Sequence, residues 1–124
     1  MRDFKGLMVW QRAHRLTVNV YRATEAFPSR ERFGLTDQIR RASISIPANI
    51  AEGCGRKSQR DFARFLQVSV GSANELEYHL LLAHELGYLG TDSQTVLDTD
   101  LSEVRRMLSS LIRKVTKDSV ASRA

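Results

Sequence analysis

Four basic side chains lie where the second predicted helix ends and the third begins, and they give the strongest chemical signal in the chain. Arg56, Arg60 and Arg64 recur at every fourth position, and Lys57 stands beside the first of them. Like charges at this spacing destabilise a helix by roughly 0.2–0.5 kcal/mol per pair, so helix stability does not account for the pattern. The stretch also leads into the start of a helix, where free N–H groups and the helix dipole favour anions. Phosphate is therefore the predicted ligand.

A second basic set lies on the polar face of the first predicted helix and comprises Arg12, Arg15 and Arg22, with Asn19 between them. Such surfaces bind nucleic acid through its phosphates without reading base sequence. The alternative is a solvated face with some salt bridges between subunits, since no aromatic residues interleave with the arginines as a base-stacking platform. Both interpretations stay open. The candidate nucleic-acid-binding residues are Arg12, Arg15, Arg56, Lys57, Arg60 and Arg64.

The chain carries a net charge of +5, and the charges are segregated along it. Residues 1–64 hold 13 basic and 6 acidic side chains, residues 65–104 hold none and 7, and residues 105–124 hold 6 and 1. One interpretation is a head-to-tail assembly in which the acidic segment of one subunit faces a basic segment of its neighbour. The alternative is pairing within one antiparallel bundle, with Glu75 near Arg105 or Arg106.

Sequence motifs for catalysis or metal binding are lacking. The GCGRKS run lacks the glycine directly before the lysine, and the preceding strand, that a phosphate-binding P-loop requires. His84 and Glu85 do not continue into a zinc-protease motif, and no glutamate of the third helix has the histidine three residues on that di-iron bundles need. The single cysteine, Cys54, is expected to be a small residue of an exposed turn rather than a nucleophile. We therefore expect no enzyme, no cofactor and no metal site.

Four helices are predicted to position these side chains, because apolar residues recur at alternating spacings of three and four. The helices are expected at about residues 7–27, 36–53, 59–86 and from 91 onward. Their short connections favour antiparallel neighbours. The predicted fold class is all-α, an antiparallel up-and-down four-helix bundle with a proline-kinked second helix. The bundle should span residues 1–118 and end in a frayed tail, residues 119–124.

Local signals mark the ends of these helices. Thr36, Ser58 and Thr91 are predicted N-caps of the second, third and fourth helices. Gly53 and Gly87 are predicted to end the second and third helices in a left-handed turn. Within the second helix, Pro47 lacks the N–H that would bond the carbonyl of Ser43, a defect of roughly 3 kcal/mol in an ordinary helix interior.

The run RRASISIPANIAEGCGR at residues 40–56, followed by residues 61–89, resembles the bacterial four-helix-bundle proteins called ribosomal-RNA intervening-sequence proteins. Some of these are encoded inside insertions in 23S rRNA genes. The resemblance covers about residues 4–90 and implies an up-and-down bundle that assembles into a ring, expected to be a pentamer. A relative, the accessory protein of diversity-generating retroelements, binds a reverse transcriptase and nucleic acid. The motif positions are Arg40, Arg41, Pro47, Asn49, Glu52 and Gly53. We expect Asn49 and Glu52 to satisfy backbone groups freed by the proline or to bridge subunits, with a functional role as the alternative.

The third helix has more apolar surface than one seam requires, including Phe65, Val68, Tyr78 and Leu81. A subunit interface is the expected place for it, and burial deep inside the bundle is the alternative.

No stretch approaches the roughly 20 apolar residues of a membrane span, and the N-terminus has no apolar signal region, so a cytoplasmic protein is expected. The predicted function is a non-enzymatic homo-oligomer that binds RNA or DNA phosphates, as accessory to a nucleic-acid enzyme such as a reverse transcriptase. The alternative is a protein-interaction scaffold without nucleic-acid binding.

Overall fold

The fold is a four-helix bundle, as predicted. The computed structural model describes the backbone of residues 2–123 and the side chains of residues 2–120. The helices are α1 (Met8–Thr24), α2 (Leu35–Cys54), α3 (Gln59–Glu85) and α4 (Thr91–Arg123), with short 3-10 helices at Phe4–Gly6 and Ser29–Glu31. Residues 2–123 contain no strand. Each α-helix packs against two others, in the cyclic order α1, α2, α3, α4, which is the arrangement of an up-and-down bundle.

The core consists of one apolar seam from each helix, as the three-and-four periodicity predicts. The largest side chains with under 2% exposure are Phe62, Leu16, Ile39, Ile46, Ile50, Leu66, Leu76, Leu80, Leu101, Leu108, Val20 and Val104. The surplus apolar residues of α3 were predicted to lie either in a subunit interface or deep inside the bundle, and they fall into two groups. Val70 and Leu82 are half-buried against the core, whereas Val68, Tyr78 and Leu81 are exposed.

Two of the predicted caps are wrong, because α2 begins one residue before Thr36 and α4 begins at Thr91 itself. α2 begins at Leu35, and the Glu31 carboxylate accepts a hydrogen bond from the Leu35 N–H at 3.3 Å, while the buried Thr36 hydroxyl has no partner among the described residues. Thr91 is the first residue of α4 rather than its cap. The Ser58 cap is confirmed, since its hydroxyl accepts from the Asp61 N–H at 3.1 Å.

The end of α2 differs from the prediction in a way that matters for packing. Gly53 does not end the helix in a left-handed turn: α2 continues to Cys54, and within residues 2–123 only Gly87, at φ 81°, has a positive φ. A Cβ on Gly53 would lie 2.9 Å from Cδ1 of Phe62 and 3.0 Å from Cβ of Phe65. A glycine is required here because α3 packs directly against the α2 backbone.

Cys54 is buried, contrary to the expected exposed turn, with 1% of its surface accessible. Burial raises the pKa of its thiol, and the nearby Arg2 opposes this more weakly. A buried thiol of raised pKa is a poor nucleophile, so the non-catalytic interpretation of Cys54 gains a physical reason.

Pro47 lies inside α2 and is buried, and its effect is compensated from another helix. The Thr17 hydroxyl of α1 lies 2.9 Å from the carbonyl oxygen of Ser43, the acceptor that Pro47 leaves without a backbone donor. The predicted donors Asn49 and Glu52 do not bond the Ser43 carbonyl, and their alternative role of bridging subunits stays a prediction. Asn49 instead donates to the backbone oxygen of Ser45 at 2.8 Å.

Serine hydroxyls add hydrogen bonds between α2 and α3 to the bond between α1 and α2 made by Thr17. The Ser69 hydroxyl donates to the Ile46 carbonyl oxygen at 2.9 Å, and the hydroxyls of Ser45 and Ser72 lie 2.7 Å apart. The motif around Pro47 therefore joins three helices by hydrogen bonds as well as by apolar packing.

α4 includes residues 119–123 of the predicted tail, and the fraying of that tail stays a prediction. α4 runs to Arg123, beyond the boundary predicted at residue 118, and Ala124 of the predicted tail lies outside the described residues. No helix of the described part of the chain is both long and apolar enough to cross a membrane.

Candidate nucleic-acid interface

The end of the bundle where α2 ends and α3 begins gathers most of the predicted site. Residues 55–58 connect the two helices, and the Arg56 N–H donates to the Gly53 carbonyl oxygen at 3.1 Å. The N-terminal segment closes over the same end, since the Arg2 N–H donates to the Cys54 carbonyl oxygen at 3.1 Å. The chain thereby places Arg2 near residues 56–64, a neighbour that the sequence prediction missed.

Arg56 and Arg64 converge on one aromatic ring. Arg56 lies in the connecting turn, so only Arg60 and Arg64 of the predicted stripe belong to α3. Nevertheless, the guanidinium carbon of Arg56 lies 4.6 Å from the centroid of the Phe65 ring, and that of Arg64 lies 4.7 Å from it. We refer to Arg56, Phe65 and Arg64 as the arginine clamp. Stacking on a ring favours a fixed guanidinium plane and leaves the N–H edges available for an anion.

Each guanidinium of the clamp also meets a carboxylate. Nη2 of Arg56 lies 3.0 Å from Oε1 of Glu52, and Nε of Arg64 lies 3.6 Å from Oδ1 of Asp61. All four side chains keep between 40% and 61% of their surface exposed. Exposed pairs of this kind are worth only about 0–1 kcal/mol, so both can open at little cost.

Further positive charge surrounds the clamp. Lys57 and Arg60 are exposed, and neither has a carboxylate within ion-pair distance among the described residues. The guanidinium of Arg2 covers the ring of Phe62 at 4.5 Å from its centroid. This end of the molecule therefore carries more cationic groups than its two paired carboxylates can neutralise.

The two remaining predicted residues, Arg12 and Arg15, are not part of the clamp. Arg12 lines a shallow depression against α4 together with Asp98 and Glu103. The bonded Arg106 lowers the pKa of Glu103, and Arg12 adds a smaller contribution in the same direction. Arg12 thus faces carboxylates of its own chain, whereas Arg15 is exposed on α1.

Aromatic rings lie under several of the arginines, so that guanidiniums rather than bases cover them. Besides the clamp, Arg40 lies over the ring of Tyr21 at 4.6 Å from its centroid. Two of these pairs are hidden in the sequence because their partners come from different elements: Arg56 and Phe65 from the turn and α3, and Arg40 and Tyr21 from α2 and α1. Arg64, in contrast, directly precedes Phe65. The sequence feature that could have predicted the contact with Phe65 is the short turn between α2 and α3. Such a short turn keeps residue 56 close to the first turns of α3.

Arg40 and Arg41 of the family motif have separate roles. Nε of Arg40 donates to the Thr24 hydroxyl at 2.9 Å and its Nη2 to the Tyr21 carbonyl oxygen at 3.3 Å, so Arg40 covers the last turn of α1. Arg41 is exposed and pairs with Asp37 at 2.9 Å. We therefore assign Arg40 to bundle packing.

Part of the acidic charge of α3 is compensated within the chain. Nη1 of Arg105 donates to Glu77 at 2.9 Å and to Asn74 at 3.0 Å. The expected partner, Glu75, instead lies 3.3 Å from His79. Pairing within the antiparallel bundle thus occurs two residues from its predicted position, and it weakens the argument for a head-to-tail contact at this point.

Asp98 is the carboxylate most affected by this acidic region. Burial raises the pKa of Asp98, Glu77 raises it further, and Arg105 partly opposes both. Its Oδ1 is buried without a hydrogen-bond partner among the described residues.

The cationic end of the bundle, around Arg56, Arg60 and Arg64, is suited to anion binding. The described residues contain no cluster of three or more side chains suited to a metal ion. Guanidinium forks suit phosphate geometry, and the cationic end offers several of them side by side.

Comparison with known proteins gives a family and a solved structure. The family model described as 23S rRNA-intervening sequence protein matches residues 5–110. A crystal structure at 1.70 Å resolution of a protein with unknown function, from the S23 ribosomal protein family of Bacteroides thetaiotaomicron, is similar with a TM-score of 0.76 and 28% identity. The match covers 85% of this chain and 98% of that chain. No protein of curated function matches this chain.

Proposed function

This chain belongs to the 23S rRNA-intervening sequence protein family, as its SIPANIAEG run indicated, and we propose that it binds the phosphates of RNA or DNA. The protein acts without catalysis, as a homo-oligomeric ring of five subunits. Its place is beside a nucleic-acid enzyme, with a reverse transcriptase as the first candidate partner.

The observation that carries this proposal is the concentration of Arg2, Arg56, Lys57, Arg60 and Arg64 at one end of the bundle. Their charge exceeds that of the nearby carboxylates Glu52 and Asp61, and an anionic polymer would neutralise the excess. Binding of this kind releases counterions and is insensitive to base sequence.

The experiment is a gel-shift series against salt with a 20-nucleotide single-stranded RNA and an RNA duplex. If about four phosphates are neutralised, duplex affinity should fall about 150-fold between 50 and 200 mM salt. The variant Arg56→Glu/Arg60→Glu/Arg64→Glu should abolish binding. A matched control, Arg30→Glu/Arg32→Glu/Arg41→Glu, makes the same charge change at exposed positions toward the other end of the bundle and should retain most of the affinity. Absence of binding at low salt, or equal loss in both variants, would refute the proposal.

Assembly is supported by apolar side chains that one subunit leaves exposed, among them Met8 at 65% and Tyr78 at 60%. Light scattering should give a mass near five times 14.1 kDa. A mass of one chain at micromolar concentration would refute the ring.

A protein-interaction scaffold is the second candidate. It is favoured by Tyr78, Leu81, Leu86 and Val96, which are exposed within the segment that has no basic residue. On this alternative the Arg56/Arg60/Arg64 reversals change the mass of the assembly, while nucleic-acid affinity is negligible even for the unaltered protein.

A further inference from the structure

We infer that the arginine clamp is a preset phosphate site, in which Phe65 positions the two guanidiniums and Glu52 and Asp61 occupy the phosphate positions until nucleic acid displaces them. The inference rests on the proposed function and specifies which residues set the affinity of that surface.

Phe65 is suited to a positioning role because its own place is fixed. Its Cβ packs against Gly53 so closely that an added methyl group there would lie 3.0 Å from it. Arg56 reaches the ring from the connecting turn and Arg64 reaches it from α3, at nearly equal distances of 4.6 and 4.7 Å. Two long side chains from different elements are thereby ordered before any ligand arrives, which reduces the entropy lost on binding.

Glu52 and Asp61 are suited to the placeholder role because a carboxylate and a phosphate compete for the same guanidinium N–H groups. The Arg56–Glu52 pair has a separation of 3.0 Å and the Arg64–Asp61 pair one of 3.6 Å, and both pairs are open to solvent. Removing either carboxylate charge should therefore strengthen phosphate binding at that guanidinium.

The two placeholders differ in how the helix dipole acts on them. Glu52 lies in the last turn of α2, where a negative charge is disfavoured, and Asp61 lies in the first turn of α3, where it is favoured. Glu52 therefore depends more on its arginine than Asp61 does, and its pair is also the shorter, at 3.0 Å against 3.6 Å. Glu52 is the stronger competitor for a guanidinium, so its removal should strengthen phosphate binding more than removal of Asp61.

The test measures affinity for the single-stranded RNA, and its salt dependence, in three variants with matched controls. Phe65→Leu should weaken binding about tenfold and flatten the plot of log affinity against log salt by up to about 1.4, the value for two lost phosphate contacts. Its control is Phe33→Leu, the same change at a ring that is 89% exposed and has Arg32 over it. Glu52→Gln should strengthen binding about fivefold, and Asp61→Asn by a smaller factor.

The control for Glu52→Gln is Asp37→Asn, which removes a carboxylate charge from the exposed i, i+4 pair with Arg41 near the start of α2. Equal strengthening by the two variants would mean a general charge effect and would overturn the placeholder role. Wild-type affinity and salt dependence in Phe65→Leu would overturn the positioning role.

The outcomes separate the inference from the proposed function. If the triple arginine reversal abolishes binding but Phe65→Leu and Glu52→Gln behave like their controls, the clamp inference fails and the proposed function stands. If the unaltered protein does not bind RNA, both fail. Should Phe65→Leu disturb the circular dichroism or the assembly mass, Glu52→Gln decides alone, because its exposed side chain contributes nothing to the core.

Discussion

The hydrogen bond between Thr17 and Ser43 offers a direct test of how the bundle accommodates Pro47. Thr17→Val keeps the shape of the side chain and removes the hydroxyl, which lies 2.9 Å from the Ser43 carbonyl oxygen. That carbonyl then lacks a donor, since the residue four positions on is the proline. An unsatisfied buried polar group costs about 1–3 kcal/mol, so the free energy of unfolding should fall by this amount.

A double-mutant cycle isolates the role of the proline. Pro47→Ala restores an N–H that can bond the Ser43 carbonyl, so Thr17→Val should cost less in that background by at least about 1 kcal/mol. The Thr17 hydroxyl also lies 3.0 Å from the Ala13 carbonyl oxygen. This carbonyl can accept the Thr17 backbone N–H of the same helix whether or not Pro47 is present, so it does not affect the comparison between the two backgrounds.

Urea unfolding followed by circular dichroism, at one fixed protein concentration, measures all four proteins of the cycle. Thr95→Val is the matched control, because its hydroxyl also donates to the carbonyl four residues earlier, at 2.9 Å, but at an exposed position of a helix without a proline. It should change stability by no more than about 0.5 kcal/mol. Equal costs of Thr17→Val with and without Pro47 would refute the compensation.

Three further predictions concern packing, pH and reactivity. Gly53→Ala should destabilise the fold by about 1–3 kcal/mol, because its Cβ would overlap Phe62. Gly71→Ala, whose Cβ would meet nothing within 4 Å, should stabilise the fold by up to about 1 kcal/mol. Thermal melts in which both variants are more stable than the unaltered protein would contradict this. The pKa of Asp98 is raised in the folded state, so the protein loses stability as pH rises through that pKa. Asp98→Asn should therefore raise Tm at pH 7, and this gain should vanish below about pH 4. A gain in Tm that does not depend on pH would contradict the prediction. Cys54 should resist iodoacetamide at pH 8 until urea unfolds the protein, and rapid native labelling would show that its burial is wrong.

The sequence predicts the helices and the core well because burial itself produces the periodicity. Each seam is buried over the length of its helix, so the pattern at Leu16, Ile46 or Leu80 is repeated often enough to be recognised. Helix ends lack this redundancy. The α2 cap depends on Glu31, which a separate 3-10 helix holds in place, and no spacing rule connects that residue to Leu35.

The candidate site was predictable in composition but not in geometry. The spacing of Arg60 and Arg64 on α3 follows from the helical repeat, and the charge of the turn follows from Arg56 and Lys57. The contact of Arg56 with Phe65 depends on the path of four connecting residues, which hydrophobic patterning does not describe. For the same reason the sequence did not indicate that Arg12 faces the carboxylates of α4.

The family motif and the clamp are two consequences of one close contact between α2 and α3. Gly53 lets α3 lie against the α2 backbone, and this approach fixes Phe65 beside the turn. Glu52, one residue earlier, points to Arg56 at 3.0 Å, while Pro47, further back, ties α2 to α1 through Thr17. A single substitution at Gly53 should therefore reduce both stability and phosphate affinity, whereas Thr17→Val, at the other contact of α2, should reduce stability alone. Measuring both properties in these two variants would show whether the end of the motif serves binding as well as packing.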